Sequence, residues 1–287
     1  MSLQTKGYEQ DYARFFAEDD LQGNAFYLNQ LPITQVECIL KIKSNVLLSG
    51  LPYFVGAFNY LGSKLDYKEL SANEGVNFKK GHTISFNLPF ALALSGERVA
   101  LNLLQQSTRI STFTQQFVKA AEGSNTKILD TRKTTPGLRI LEKYAVRVGG
   151  AHNHRFSQAD VWMIKDNHKT FFGGLEPAWK YFQSMQTFYQ NTIVEIHSLD
   201  ELKQAFELGV KHMMLDNFSP ADIVTAIAIK KAGVTYEVSG GVKLDNIKDF
   251  LIEGVDAISI GALTHSAPHI DLSMKIVPPN KNTSWLK

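Results

Sequence analysis

From Gly123 onward the chain repeats one pattern: a short β-rich run, a turn, then an amphipathic helical stretch. The runs fall at residues 127–130, 161–164, 192–196, 212–215, 235–238 and 257–260. Serial βα units imply a parallel sheet, because each return to the same sheet edge needs a crossover. This many units close most naturally into a barrel. Helix starts agree with that reading. Pro136 stands at a first-turn position, Ser219-Pro220 precedes a helix over 222–231, and a further helix is predicted over 243–253. At 287 residues the chain is long enough for two domains of roughly 150, or a barrel of roughly 250 with an addition.

The first part has another texture. Val36, Cys38, Leu40 and Ile42 alternate with polar positions, as in a half-buried strand, and residues 49–52 (SGLP) break the run. Residues 81–86 read as a second strand. A long helix is predicted over 97–121, with Val99, Leu103, Ile110, Phe113, Phe117 and Ala121 near the 3.6-residue period and Gly123 as its stop.

Composition excludes several classes. Cys38 is the only cysteine, so neither an internal disulfide framework nor a cysteine zinc cluster can form, and a small core residue is expected there. No apolar run approaches the ~20 residues of a membrane span, and the polar start at residues 1–11 lacks a secretory apolar region. A cytoplasmic enzyme is the expectation. The whole chain carries +2, yet residues 131–169 alone carry +5 and three of the eight histidines. Those charges are interleaved with glycine and apolar residues, unlike a nucleic-acid-binding tail or a membrane helix. A compact positive site for a small, multiply anionic ligand fits better.

The C-terminal ends of barrel strands form one rim, where active sites are built. Here those ends carry Thr131, Arg132 and Lys133; Lys165, Asp166, Asn167 and His168; Glu195; Asp216 and Asn217; Ser239, Gly240 and Gly241; Gly261 and Ala262. Cations, two carboxylates and two glycine turns would thus converge on one mouth. Arg132-Lys133 and His154-Arg155 suit carboxylates and phosphates. Glu195 and Asp216 offer hard oxygen ligands for Mg²⁺, or acceptors for ribose hydroxyls. Ser239, Gly240 and Gly241, with Gly261 and Ala262, offer backbone N–H groups for a phosphate. Lys165 has two readings, an anion-binding cation or a Schiff-base lysine. His152 and His168 are assigned ordinary hydrogen-bonding roles.

Taken in order, DTRKTTPGLR (130–139), EKYAVRVGGAHNHR (142–155) and IKDNH (164–168) closely resemble the quinolinate phosphoribosyltransferase family. MLDNF (214–218), EVSGG (237–241) and IGALT (260–264) extend the resemblance, which is strong from about residue 95 to 274. It implies an α/β fold: an N-terminal α/β sandwich domain over 1–110 and an incomplete, TIM-like α/β barrel over 111–287. The chain end is free to return to the first domain. It further implies a homodimer with shared active sites, or a higher assembly of dimers, in which Arg98, within GERVALN (96–102), enters the other subunit's site.

The substrates implied are quinolinate and phosphoribosyl pyrophosphate, with Mg²⁺ as cofactor. Arg98, Arg132, His154 and Arg155 would hold the two carboxylates, with Lys165 close by. Lys133, Lys165 and Mg²⁺ at Glu195 and Asp216 would compensate the departing pyrophosphate. Ser239, Gly240, Gly241, Gly261 and Ala262 would dock the ribose 5′-phosphate, and Thr131 is a further substrate-binding residue. The product would be nicotinate mononucleotide, on the route to NAD. Departures from the family pattern are Val148, Ala151, His197 and Arg109. The rivals are a molybdenum-transport-associated homologue of the same family, a Schiff-base aldolase and a non-catalytic phosphate-ester sensor.

Overall fold

The alternation at Val36, Cys38, Leu40 and Ile42 becomes a strand with those four side chains buried. A computed structural model describes residues 8–18 and 26–277, so most of the polar start lies outside the described residues. Among the described residues the strands, in chain order, are β1 (Gln35–Ile42), β2 (Val46–Leu47), β3 (Asn77–Phe78), β4 (Thr83–Pro89), β5 (Lys127–Leu129), β6 (Trp162–Ile164), β7 (Thr192–Ile196), β8 (His212–Asp216), β9 (Thr235–Ser239), β10 (Ala257–Ser259) and β11 (Leu272–Ile276).

The chain divides into two compact units. The first comprises Met1–Phe113, Thr135–Gly149 and Ala267–Lys287; the second comprises Thr114–Thr134 and Gly150–Ser266. A single cut after residue 110 is therefore too simple. The helix Arg139–Val148 and the returning strand β11 belong with the first unit: β11 pairs with β1, and Tyr144 of the helix donates its hydroxyl to Glu74 at 2.8 Å.

In the first unit β1 lies between β11 and β4 in an antiparallel sheet. Cys38 is central, facing Phe86 on one side and Ile276 on the other. It is fully buried, and burial pushes its thiol up to about 11, as suits a core residue. Phe54 and Phe58, from the helix Leu51–Tyr60, meet Phe86 of β4 edge-on or tilted, with ring centroids 5.6 and 6.5 Å away. Each such buried ring contributes roughly 1.5–3 kcal/mol through area removed from water. That helix starts at Gly50, which has no side chain to cap it. Glu74 instead accepts hydrogen bonds from the Gly50 and Leu51 N–H groups at 2.8 and 2.9 Å.

The long helix runs from Phe90 to Ala120, starting seven residues before the expected position. Gly96 lies inside it, although glycine is a weak helix former. A Cβ there would sit 2.5 Å from the Phe58 ring, so close packing requires the glycine.

The second unit holds six parallel strands in the order β5-β10-β9-β8-β7-β6. Consecutive strands β5 and β6 are the two edges, which is how a barrel left incomplete presents itself. A parallel bridge from Leu129 to His152 lines the free edge of β5. Helices Asp166–Phe172, Leu175–Met185, Leu199–Glu207 and Pro220–Ala228 make the crossovers. Ser219 caps the last of these by accepting from the Asp222 N–H, as its sequence suggests.

Two predicted helices change. Pro136 lies in a turn with Gly137 (φ 81), and the helix begins only at Arg139. Over 243–253 there is only a short 3-10 turn, Ile247–Phe250. There the Asn246 side chain accepts from the Lys243 N–H and donates to the Gly241 carbonyl, local bonds that compete with a helix. Among the described residues no helix is long and apolar enough to cross a membrane.

Candidate active site

The expected convergence at the strand ends is present in the second unit. A cavity of about 500 Å³ is lined by Thr131, Arg132, Lys133, His154, Arg155, Met163, Lys165, Glu195, Met214, Asp216, Asn217, Ser239, Gly240, Gly241 and Ser259. A second chamber of about 240 Å³ shares Arg132, Arg155, Met163 and Lys165 with it and adds Trp162, His168 and Phe182. A wider depression of about 640 Å³ holds Asp166, Asp200 and Glu201 but one cation, Lys169, and so does not suit an anion.

The acidic side rests on the strand ladder. Glu195 of β7 pairs with Met214 of β8, and Asp216 pairs with Ser239 of β9. Glu195 is nearly buried, and its Oε2 lies 3.0 Å from the Lys165 ammonium. His197 Nδ1 lies 3.8 Å from Asp216 Oδ2. One ligand atom from each of Glu195, His197 and Asp216 falls within 4.8 Å of the others. Two carboxylates in such a group fit Mg²⁺, which takes oxygen ligands and keeps several waters. Behind them Glu201 accepts from the His197 N–H at 2.7 Å and from buried Lys169, which also donates to the Glu195 carbonyl at 3.0 Å.

Asn217 adopts a left-handed backbone (φ 57) and donates to Asp216 Oδ2 at 2.9 Å. Gly240 (φ 90) must be glycine, since a Cβ would lie 2.2 Å from Asn217 Oδ1.

The cationic side lies outside the ladder. Fully buried Asp130 follows β5 and accepts from the His154 N–H at 2.8 Å and the Asn153 amide at 2.6 Å. Arg155 donates to the Val161 carbonyl at 2.7 Å. Burial, and then the neighbouring Arg132, lower its pKa. Among the described residues neither guanidinium forms an ion pair with a carboxylate, which suits both to an anionic ligand. Thr131 Oγ1 accepts from the Lys133 N–H at 3.0 Å.

Several expected residues sit elsewhere. Gly261 and Ala262 are half-buried but do not line the cavity, because β10 ends earlier, at Ser259. Gly261 packs tightly on Lys133, where a Cβ would meet the Lys133 side chain at 3.0 Å. Arg98 lies in the first unit, exposed on the long helix. His168 has the ordinary role expected of it, accepting from the Lys165 N–H at 2.9 Å, and the His152 backbone pairs with β5.

Of the departures, Ala151 is buried beside that bridge, and Val148 ends the helix Arg139–Val148. Arg109 donates to Gln106 at 2.8 Å and to the Ala267 carbonyl at 2.5 Å. Ser259 escaped the sequence reading, although it ends β10 opposite Ser239 of β9. Asp130 and Glu237 lay within quoted segments without an assigned task.

Comparison with known proteins agrees with this geometry. The family model "Quinolinate phosphoribosyl transferase, C-terminal domain" matches residues 110–275. A probable carboxylating nicotinate-nucleotide pyrophosphorylase of Bacillus subtilis is 37% identical over 273 residues, covering 93% of each chain. The carboxylating nicotinate-nucleotide pyrophosphorylase of Homo sapiens is 36% identical, covering 84% of this chain and 82% of the human one. The crystal structure of nicotinate-nucleotide pyrophosphorylase from Ehrlichia chaffeensis superposes with a TM-score of 0.84 at 28% identity, covering 96% of this chain and all of that one.

Proposed function

The chain belongs to the quinolinate phosphoribosyl transferase family, and from that premise we propose that it transfers phosphoribosyl from phosphoribosyl pyrophosphate to quinolinate with loss of CO₂. The observation that carries this reading is one cavity with two guanidinium groups that form no carboxylate ion pair among the described residues on one side and Glu195 with Asp216 on the other.

Arg132 and Arg155, with Lys165 close by, hold the two carboxylates of quinolinate. Charge-assisted hydrogen bonds contribute about 1.5–3 kcal/mol each, so three or four reach micromolar-class binding before ordering costs are subtracted. Ser239, Gly240, Gly241 and Thr131 take the ribose phosphate. The pyridine nitrogen then bonds to ribose C1 as the C1–oxygen bond to pyrophosphate breaks. Lys133 and Lys165 compensate the charge on the departing pyrophosphate. Glu195 and Asp216 face the positive charge that develops on the ribose, and they would hold Mg²⁺. When bound, that ion supplies further charge compensation for the pyrophosphate.

After transfer, the ring nitrogen is positive. The bond to the adjacent carboxylate breaks, its electron pair remains on the ring carbon, and a solvent proton completes nicotinate mononucleotide. The site has only to hold the intermediate. Lys165 fits this role better than a Schiff base, since its amine is ion-paired with Glu195. We place the reaction in the cytoplasm, in a homodimer or an assembly of dimers, with Arg98 of each subunit serving the other's site.

The test is CO₂ release from carboxyl-labelled quinolinate, with nicotinate as the competing acceptor. Release should require both phosphoribosyl pyrophosphate and Mg²⁺. No release from folded protein would overturn the assignment in favour of the molybdenum-associated homologue or a sensor. For the shared site, mixing inactive Arg98→Ala and Lys165→Ala proteins should restore activity once subunits exchange.

A further inference from the structure

His154 is expected to bind a substrate carboxylate, yet both of its ring nitrogens face other protein groups. Its Nδ1 accepts a hydrogen bond from the Arg155 N–H at 2.7 Å. Accepting requires a lone pair, so Nδ1 carries no proton and the ring is neutral with its hydrogen on Nε2. That Nε2 faces Glu237 Oε1 at 3.3 Å, a contact between the imidazole edge and a carboxylate that falls short of an aligned hydrogen bond, and both side chains are largely buried. Glu237 stands in β9 two residues before Ser239, on the same face of the strand as that cavity-lining residue. Its charge also acts on the Arg155 guanidinium, supporting the charged form against burial and Arg132. Residues 153–155 are therefore gripped from two sides, by Asp130 through the backbone and Asn153, and by Glu237 through the imidazole.

We propose that Glu237 is a positioning residue: it holds His154 in the Nε2–H tautomer, so that Nδ1 anchors the Arg155 amide and Arg155 presents its guanidinium to the anionic acceptor. Glu237 then acts on binding through His154 and touches no substrate itself. What Arg155 binds rests on the function proposed above; the tautomer does not.

The experiment is ¹⁵N NMR of histidine-labelled full-length protein, with the His154 signals assigned by their absence from His154→Gln. The wild type should show a neutral His154 with a bare Nδ1 and a protonated Nε2. Glu237→Gln keeps an acceptor oxygen and should preserve that pattern, whereas Glu237→Leu should give averaging between tautomers. In steady-state kinetics Glu237→Leu should raise the quinolinate KM about tenfold, the loss of the one carboxylate that faces His154 Nε2, with a smaller change in kcat. Glu237→Gln should recover most of that loss.

A wild-type His154 protonated on Nδ1, or on both nitrogens, would overturn the proposal. So would an unchanged tautomer in the Leu variant, or a Gln variant as impaired as Leu. If the Leu variant does not fold, the wild-type and Gln spectra still decide. A protein without transferase activity would overturn the function while leaving the tautomer readable.

Discussion

The two sides of the cavity reach similar precision by different means. Glu195 and Asp216 stand within or at the end of ladder-paired strands, so backbone hydrogen bonds fix their positions before any side chain acts. Arg132, His154 and Arg155 stand on irregular segments, where side chains replace the ladder: the buried Asp130 carboxylate and the pair of His154 with Glu237. The difference lies in vulnerability. A strand-borne ligand tolerates changes in its neighbours, while the cationic side depends on a few buried hydrogen bonds, each expensive to leave unmade. Lys165 joins the two sides through its ion pair with Glu195.

The largest expected effect is therefore at the junction. Lys165→Ala should lower kcat/KM about 10³-fold, since it removes a cation serving both acceptor and leaving group. Its side chain is 44% exposed, so thermal stability should change little. Loss of activity no greater than threefold would mean that the two sides are not coupled there.

Asp130→Ala should act on one side only. It leaves the His154 N–H and the Asn153 amide without their acceptor, at roughly 1–3 kcal/mol for each unmet group. Quinolinate affinity should fall about tenfold or more in calorimetry while phosphoribosyl pyrophosphate affinity stays within threefold. An equal loss for both ligands would break the proposed division of labour.

The smallest effect is at the far end of the acidic side. His212 begins β8, the strand that Asp216 ends, and its Nδ1 is 2.8 Å from Thr235 Oγ1. Burial first, and then Lys211, hold its pKa below the ordinary 6.5. Folding therefore favours the neutral ring, and this contribution is complete above pH 6.5 and lost as the pH falls below it. The stability lost as the pH falls below about 6.5 should shrink in His212→Asn, as measured by thermal unfolding. The same decline in both proteins would remove His212 from the acid response.

That contrast also explains what was legible in the sequence. The parallel strands and the acidic residues at their ends announce themselves through local β-rich runs, and the alternation of β1 does the same. β11 shows a similar alternation at Leu272, Met274 and Ile276, but its partner lies more than 200 residues earlier, which no local pattern reveals. Ser259 was within reach, being the register partner of Ser239. Glu237 and Asp130 could not be given tasks, because their importance comes from buried partners that are distant in the chain. Gly96, a weak helix former by propensity, is kept for a ring packed against the helix.

The central claim is that the cationic side takes the dicarboxylate while the acidic side does not. Its most direct test is calorimetric titration of quinolinate alone into the wild type, Arg132→Ala and Asp216→Asn. Affinity should fall at least tenfold in Arg132→Ala, the loss of one charged hydrogen-bonding partner, and stay the same or tighten in Asp216→Asn. An unchanged affinity in Arg132→Ala, or a comparable fall in Asp216→Asn, would contradict the account.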